Sequence, residues 1–146
     1  MSHQNPLFNK TVTHNDGLKK QLYLLRDELD AQGAPDREGY LLLELGGGVA
    51  GQDGIAHGGF LSIVMDQVTG TLIGLTGLEG GLGMYTVALN LSYHKPVFVP
   101  SVIIATAKIS RIERRRIHVD ASIVDMQGDT CTTAEAIFVQ KRPETL

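Results

Sequence analysis

The sequence predicts an α+β domain in which one antiparallel sheet wraps a single buried helix. Three observations carry that prediction. Between Gly54 and Gly77 lies the most apolar stretch of the chain, GIAHGGFLSIVMDQVTGTLIGLTG. There Phe60, Leu61, Ile63, Val64, Met65, Val68, Leu72, Ile73 and Leu75 fall on every side of a helix, and a helix apolar all round belongs in a core. From Tyr85 onward the chain alternates instead: Val87, Leu89, Leu91 and Tyr93 share one face, Thr86, Ala88, Asn90 and Ser92 the other. Finally, Pro96 and Pro100 bracket a corner and Gln127-Gly128-Asp129 makes a tight turn, dividing the rest of the chain into strands at Val102–Ile112, Ile117–Met126 and Thr130–Gln140.

A length of 146 residues suits one domain with a real core. Residues 1–16 lack periodicity and read as a flexible or draped arm, leaving 17–146 as the single domain. Behind a cap at Asn15 or Asp16, Leu18, Leu22, Leu25 and Leu29 recur at spacings of four, three and four. That stripe predicts a surface helix to about Gln32, stopped by Gly33-Ala34-Pro35. The run from Gly39 to Leu45 suits a strand. Gly46 to Gly51 satisfies G-x-G-x-x-G, but a second loop comes after it rather than a helix, so a flexible glycine loop is the reading and not a dinucleotide site.

Composition narrows the function. A net charge of −3 argues against nucleic acid or anionic membrane as the main partner. Cys131 is the only cysteine, which excludes an intrachain disulfide and suits a reducing compartment. The polar segment from Met1 to Asn15 lacks the apolar region of a signal peptide, so the expected location is cytoplasmic. The Gly54–Gly77 stretch is long enough to span a bilayer, but Asp66 at its centre would cost about 2.5–3.5 kcal/mol there. No membrane is expected as partner. His94 and His118 lack metal-ligand spacing, and no metal is expected.

The chemistry concentrates on the central helix. Free N–H groups at a helix N-terminus hold anions, and Gly58 and Gly59 keep side chains out of a substrate's way. Taken alone, the pair also reads as a sharp loop-to-helix turn. Asp66 is the stronger signal, because a carboxylate in an apolar helix is either satisfied structurally or poised as a base. Eight residues separate Gly58 from Asp66, about 12 Å along a helix axis. One carbonyl carbon cannot meet both from the same chain. If both act on one substrate, the site is shared between two copies packed antiparallel.

The sequence His57-Gly58-Gly59, then Asp66, then Thr86-Val87-Ala88-Leu89-Asn90-Leu91-Ser92-Tyr93 resembles the hotdog-fold thioesterases, most closely the phenylacetate-degradation (PaaI-like) type. The likeness runs from about Tyr40 to Val139 and joins an HGG…D pattern to a T-V-x-L-N-x-x-Y strand. It implies a sheet wrapped on the long helix, a dimer or dimer of dimers as the working unit, and hydrolysis of an acyl- or aryl-CoA. Coenzyme A enters as part of the substrate and no other cofactor is implied. By the same resemblance, the Gly58 N–H polarises the thioester carbonyl and Asp66 of the neighbouring subunit activates water or attacks directly. Thr86 helps place the water, while His57 stands at the margin in a catalytic or structural role. Gly59, Gln52 and Asn90 are the expected substrate contacts.

One departure matters. The asparagine of the closest subgroup would fall on Gly51, so either Gln52 beside it supplies the amide or the role is absent. That departure keeps open a non-hydrolytic domain binding an acyl thioester or other apolar ligand. A dehydratase, which pairs an acid with a catalytic histidine, is the remaining rival. Arg114 and Arg115 belong to an arginine cluster at one strand turn, while 38–94 holds no Lys or Arg; the cluster is a candidate for the phosphates of coenzyme A or simply a solvated hairpin tip.

Overall fold

The computed structural model describes residues 5–78 and 81–143. Among these residues the domain comprises eight strands and one long helix: β1 (Leu18–Leu29), β2 (Pro35–Leu45), β3 (Ala50–Gln52), β4 (Ile55–Ala56), α1 (Gly58–Thr76), β5 (Met84–Tyr93), β6 (Ser101–Glu113), β7 (Arg116–Val124) and β8 (Thr130–Gln140). Six of the strands form one antiparallel sheet in the order β1-β2-β6-β7-β8-β5, and β3 pairs with β4 as a small separate ribbon. This is the hotdog architecture that the sequence predicts, an antiparallel sheet around one central helix.

The core lies between α1 and the sheet. Phe60, Leu61, Val64, Met65, Val68, Leu72 and Ile73 of the helix are buried, and so are Leu41, Leu43, Ile103, Val119, Ile123 and Phe138 of the strands. Small residues at Ala105, Ala107, Ala121 and Ala136 keep the middle of the sheet low enough for the helix to seat. Thr69, the polar residue fully buried on the helix, bonds back to the Met65 carbonyl at 2.8 Å and so costs little.

The helix expected between Asn15 and Gln32 does not exist; the segment is β1. Of its four stripe leucines only Leu18 is buried, and Leu29 is 70% exposed. Its partners are non-local, which a periodicity reading cannot see. β1 pairs with β2 from Leu18↔Leu45 to Leu29↔Pro35. Asp30 closes the hairpin by accepting from the Gln32 and Ala34 N–H groups at 2.9 and 2.8 Å. Charges that resemble a solvated helix face are cross-strand pairs: Arg26 with Asp36 and Glu38, and Arg37 with Asp27. Tyr23 reaches inward, its hydroxyl 3.5 Å from the Val68 carbonyl, and burial holds its phenol well above the usual range.

Three further expectations change. α1 is buried on one face rather than all round: Ile63, Asp66, Gln67, Gly70, Thr71 and Gly74 are half-exposed and Leu75 is exposed. The glycine loop is ordered, with a 3₁₀ turn at Gly47–Val49 leading into β3. Asp16, expected to cap a helix, instead binds that turn, its carboxylate taking the Gly47 N–H at 3.1 Å and its carbonyl the Gly48 N–H at 2.6 Å. A Cβ on Gly48 would lie 2.6 Å from that same carbonyl oxygen, so only glycine fits. Lastly, of the flexible and draped alternatives for the arm, the described part takes the draped one and is folded onto the domain. Residues Leu7–Thr11 form a π-helical turn, Phe8 is fully buried, and Asn5 donates to the Gln67 side chain at 2.6 Å.

Candidate active site

The site starts where the β3–β4 ribbon hands the chain to α1. Backbone bonds from Ala56 to the Val97 carbonyl and from His57 to the Val49 carbonyl, both 2.8 Å, fix the turn from two sides. His57 is the N-cap, and its Nδ1 accepts the Gly59 N–H at 2.8 Å. That bond requires an unprotonated Nδ1, placing the proton of the neutral ring on Nε2. The histidine thus has a structural task, whatever else it does.

Gly58, the first helical residue, has no hydrogen-bond acceptor for its N–H among the described residues. No acidic side chain stands in the first turn to neutralise the positive end of the helix. The Tyr93 hydroxyl donates to the Gly58 carbonyl at 2.8 Å, and the tyrosine ring lies 3.4 Å from where a Gly58 Cβ would project. Around this point opens a cleft of about 630 Å³, lined by Gln52, His57, Gly58, Tyr93, His94 and Lys95 among others. The Lys95 ammonium is held between Asp125 and Asp129, 2.7 Å from each, which raises its pKa and lowers that of Asp125.

Asp66 is half-exposed on the open side of α1, not buried as its neighbours' apolarity predicts. Its Oδ1 accepts the Thr86 hydroxyl at 2.7 Å. Strict alternation would turn Thr86 away from the helix, on the opposite face from Leu89 and Leu91. A register shift between Thr86 and Ala88 re-aims it. The structure therefore unites Asp66 with Thr86, and Gly58 with His57, Gly59 and Gln52. It keeps the two groups apart in one chain by the same eight residues of helix, about 12 Å.

Of the other expected contacts, Gln52 lies at the cleft, while Asn90, Arg114 and Arg115 lie away from it within one chain. Asn90 alternates with the core-packed Leu89 and Leu91, pairs with Glu135 and is exposed. Arg114 sits in the β6–β7 turn at φ +56°, and the Arg115 guanidinium donates to the Gln140 carbonyl at 2.8 Å. Gln140 pairs with Met84, the first residue of β5, while Tyr93 at its last stands by Gly58. Within one chain the arginines are thus roughly 30 Å from Gly58 along that strand. Gly51 is occupied territory: a Cβ there would lie 2.8 Å from the His57 Cδ2 and 3.1 Å from its Cα. An asparagine has no room beside this histidine. Gln52 is exposed and lines the cleft. Sequence reading missed Tyr93 as a wall of the site, although the aromatic closing the T-V-x-L-N-x-x-Y strand was its signal.

The family model for the thioesterase superfamily matches residues 53–132, which include Gly58, Asp66, Thr86 and Tyr93. The chain belongs to the thioesterase superfamily. Among superfamily relatives, the acyl-coenzyme A thioesterase THEM4 of Mus musculus is 32% identical over 138 residues, covering 94% of this chain and 50% of that protein. THEM4 of Xenopus laevis is 26% identical, with 94% and 67% covered. The chain thus spans about half the length of the first of these relatives. The same fold recurs in a Bacillus halodurans protein solved with CoA, at TM-score 0.63 and 26% identity, covering 68% of this chain and 65% of that one. The Escherichia coli PaaI protein of the phenylacetic acid degradation operon shares the fold at TM-score 0.65 and 17% identity, with 72% and 73% covered.

Proposed function

We propose that this superfamily member hydrolyses an acyl-CoA or aryl-CoA thioester, in a site completed by two copies of the chain. The observation that carries the proposal is a free N–H at the positive end of α1, with a hydroxyl-bonded carboxylate two turns along the same helix. The thioester carbonyl oxygen accepts from the Gly58 N–H. Water, held by Asp66 and Thr86 of the second copy, attacks the carbonyl carbon as Asp66 takes its proton. Negative charge on the oxygen is stabilised by the N–H and the helix terminus. Collapse expels the thiolate of coenzyme A, which recovers the proton from Asp66, leaving a carboxylic acid and a free thiol.

The edge of the sheet supports a second copy. β5 carries no charged residue along Met84–Tyr93 and exposes Tyr85, Val87 and Tyr93, whereas the opposite edge, β1, is lined with Lys19, Lys20, Arg26, Asp27 and Glu28. A charged edge resists pairing and an uncharged one invites it. Within one chain Tyr93 bonds Gly58 and Thr86 bonds Asp66. Antiparallel pairing of two β5 strands, Thr86 opposite Tyr93, therefore brings Asp66 of one copy toward Gly58 of the other. The same pairing carries Arg114 and Arg115 of the second copy past Gly58, where they would bind the phosphates of coenzyme A. On the outer sheet face Leu22, Leu42 and Ile104 stand in register and are exposed, which supports a dimer of dimers. The buried, unpaired thiol of Cys131 suits the reducing cytoplasm we assign to it.

Two substitutions test the chemistry. Gly58→Pro deletes the N–H at a position where proline suits a helix start, and His57 before it already has the extended backbone proline requires, at ψ 131°. It should lower kcat by about 10²–10³ for loss of an oxyanion donor. Asp66→Asn should lower it by about 10²–10⁴. Both should leave the fold intact by circular dichroism. Full thiol release from either variant would overturn the mechanism. The second reading, a binding domain without hydrolysis, is motivated by the missing amide at Gly51; it predicts thermal stabilisation by acyl-CoA with no thiol released from any ester. A dehydratase is disfavoured because His57 commits its Nδ1 to the cap.

A further inference from the structure

A second cleft, of about 490 Å³, opens on the other side of His57. Its walls come from the N-terminal segment (Thr11, Val12), the glycine turn (Val49, Ala50) and α1 (Phe60, Ile63). Among the described residues, His14 and His57 are the only titratable ones that line it. The two clefts meet at the start of α1, since His57 lines both, Gly58 the first and Gly59 the second. A thioester whose carbonyl sits on the Gly58 N–H sends two arms away from that point. The first cleft offers Gln52, His94 and Lys95, groups that suit the amides of a pantetheine arm. The second offers the apolar side chains of Val12, Val49, Ala50, Phe60 and Ile63 and, among the described residues, no charged lysine, arginine or carboxylate.

We infer that this second cleft takes the acyl chain, and that the N-terminal segment is the wall limiting its length. The inference rests on the thioester reading given above. That segment is built as a wall. Phe8 is fully buried in the core, the Thr13 hydroxyl donates to the Phe8 carbonyl at 2.7 Å, and the Leu18 N–H returns to the Val12 carbonyl at 2.8 Å. Asn5 ties its start to Gln67 on α1. The segment also lies outside residues 53–132, so the wall is an addition to the part of the chain that matches the superfamily model. The substrate class is a thioester with an apolar acyl chain, whose length the Thr11–Val12 wall caps.

The test uses non-hydrolysable S-alkyl-CoA thioethers of increasing chain length, titrated calorimetrically against the whole chain. For the unaltered protein, affinity should rise about fourfold per methylene and then level off once the cleft is full. Thr11 is exposed, so Thr11→Trp narrows the cleft without disturbing the core. It should weaken the longest thioethers about tenfold, equivalent to roughly two displaced methylenes, while leaving CoA and S-methyl-CoA within about twofold. Val12→Ala should move the plateau to longer chains. Affinity independent of chain length, or a Thr11→Trp effect equal for CoA and every thioether, would overturn the assignment. Because no turnover is needed, failure of hydrolysis and failure of the cleft assignment are read separately.

Discussion

At the scale of single residues, the site depends on side chains that are absent as much as on those present. Gly48 leaves room for the Asp16 carbonyl, and Gly51 leaves room for His57. The second point is testable. Gly51→Asn installs the amide that the sequence resemblance implies here, but its Cβ must displace the His57 backbone and ring. We expect destabilisation of about 1–3 kcal/mol, the ordinary range for overpacking, read from the urea midpoint. Turnover should fall with it rather than rise. A stable, faster variant would mean that the turn yields easily and that the amide was the missing part. Thr86 makes the complementary point, because its hydroxyl meets Asp66 only through a bulge.

Among the elements, the β7–β8 turn is stapled to the chain leaving β5. Lys95 joins Asp125 and Asp129, while Asp125 Oδ1 also accepts the Gln127 and Asp129 N–H groups at 3.0 Å each. The ammonium beside it is the main reason the Asp125 carboxyl lies below its ordinary value of 3.8. A lowered folded-state pKa means that the contribution is present above the ordinary carboxylate value and is lost as pH falls through the lowered one. Lys95, raised above its ordinary 10.5, keeps its share up to that pH and loses it only in stronger base. Asp125→Asn preserves the acceptor and removes the charge. Its Tm should lie below that of the unaltered protein near neutrality, and the gap should close as pH drops below about 4. A gap that persists unchanged into acid would assign the effect to packing instead.

For the whole molecule, the decisive prediction is complementation between copies. Mixing and reassociating Asp66→Asn with Gly58→Pro chains forms mixed dimers in which one site has both groups intact and the other has neither. With random pairing of equal amounts, about a quarter of the sites are restored, because half the dimers are mixed and each regains one of two. Recovery toward about a quarter of unaltered activity would be the signature of a shared site. No recovery after verified subunit exchange would place both groups in one chain and discard the dimer geometry. The half-exposed side of α1, with Ile63, Gly70 and Gly74, is the surface such a partner would cover.

Much of this protein can be read from the order of its residues. The central helix, its HGG start, Asp66, and the strands from Tyr85 to Gln140 announce themselves through local signals: periodicity, glycine turns and a motif of fixed spacing. Residue spacing along one helix is enough to separate Gly58 from Asp66, because helical rise is a constant. What the tertiary structure decided are features held by distant partners. β1 reads as a helix from its leucines, yet pairing with β2 and the inward Tyr23 make it a strand. Phe8 turns an apparently idle arm into a core element and a cleft wall. The bulge that brings Thr86 to Asp66, and the histidine that leaves Gly51 no side chain, arise from packing across the sheet and turn. Local backbone preferences are written in neighbouring residues, whereas register, burial and close approach are settled only when remote segments meet.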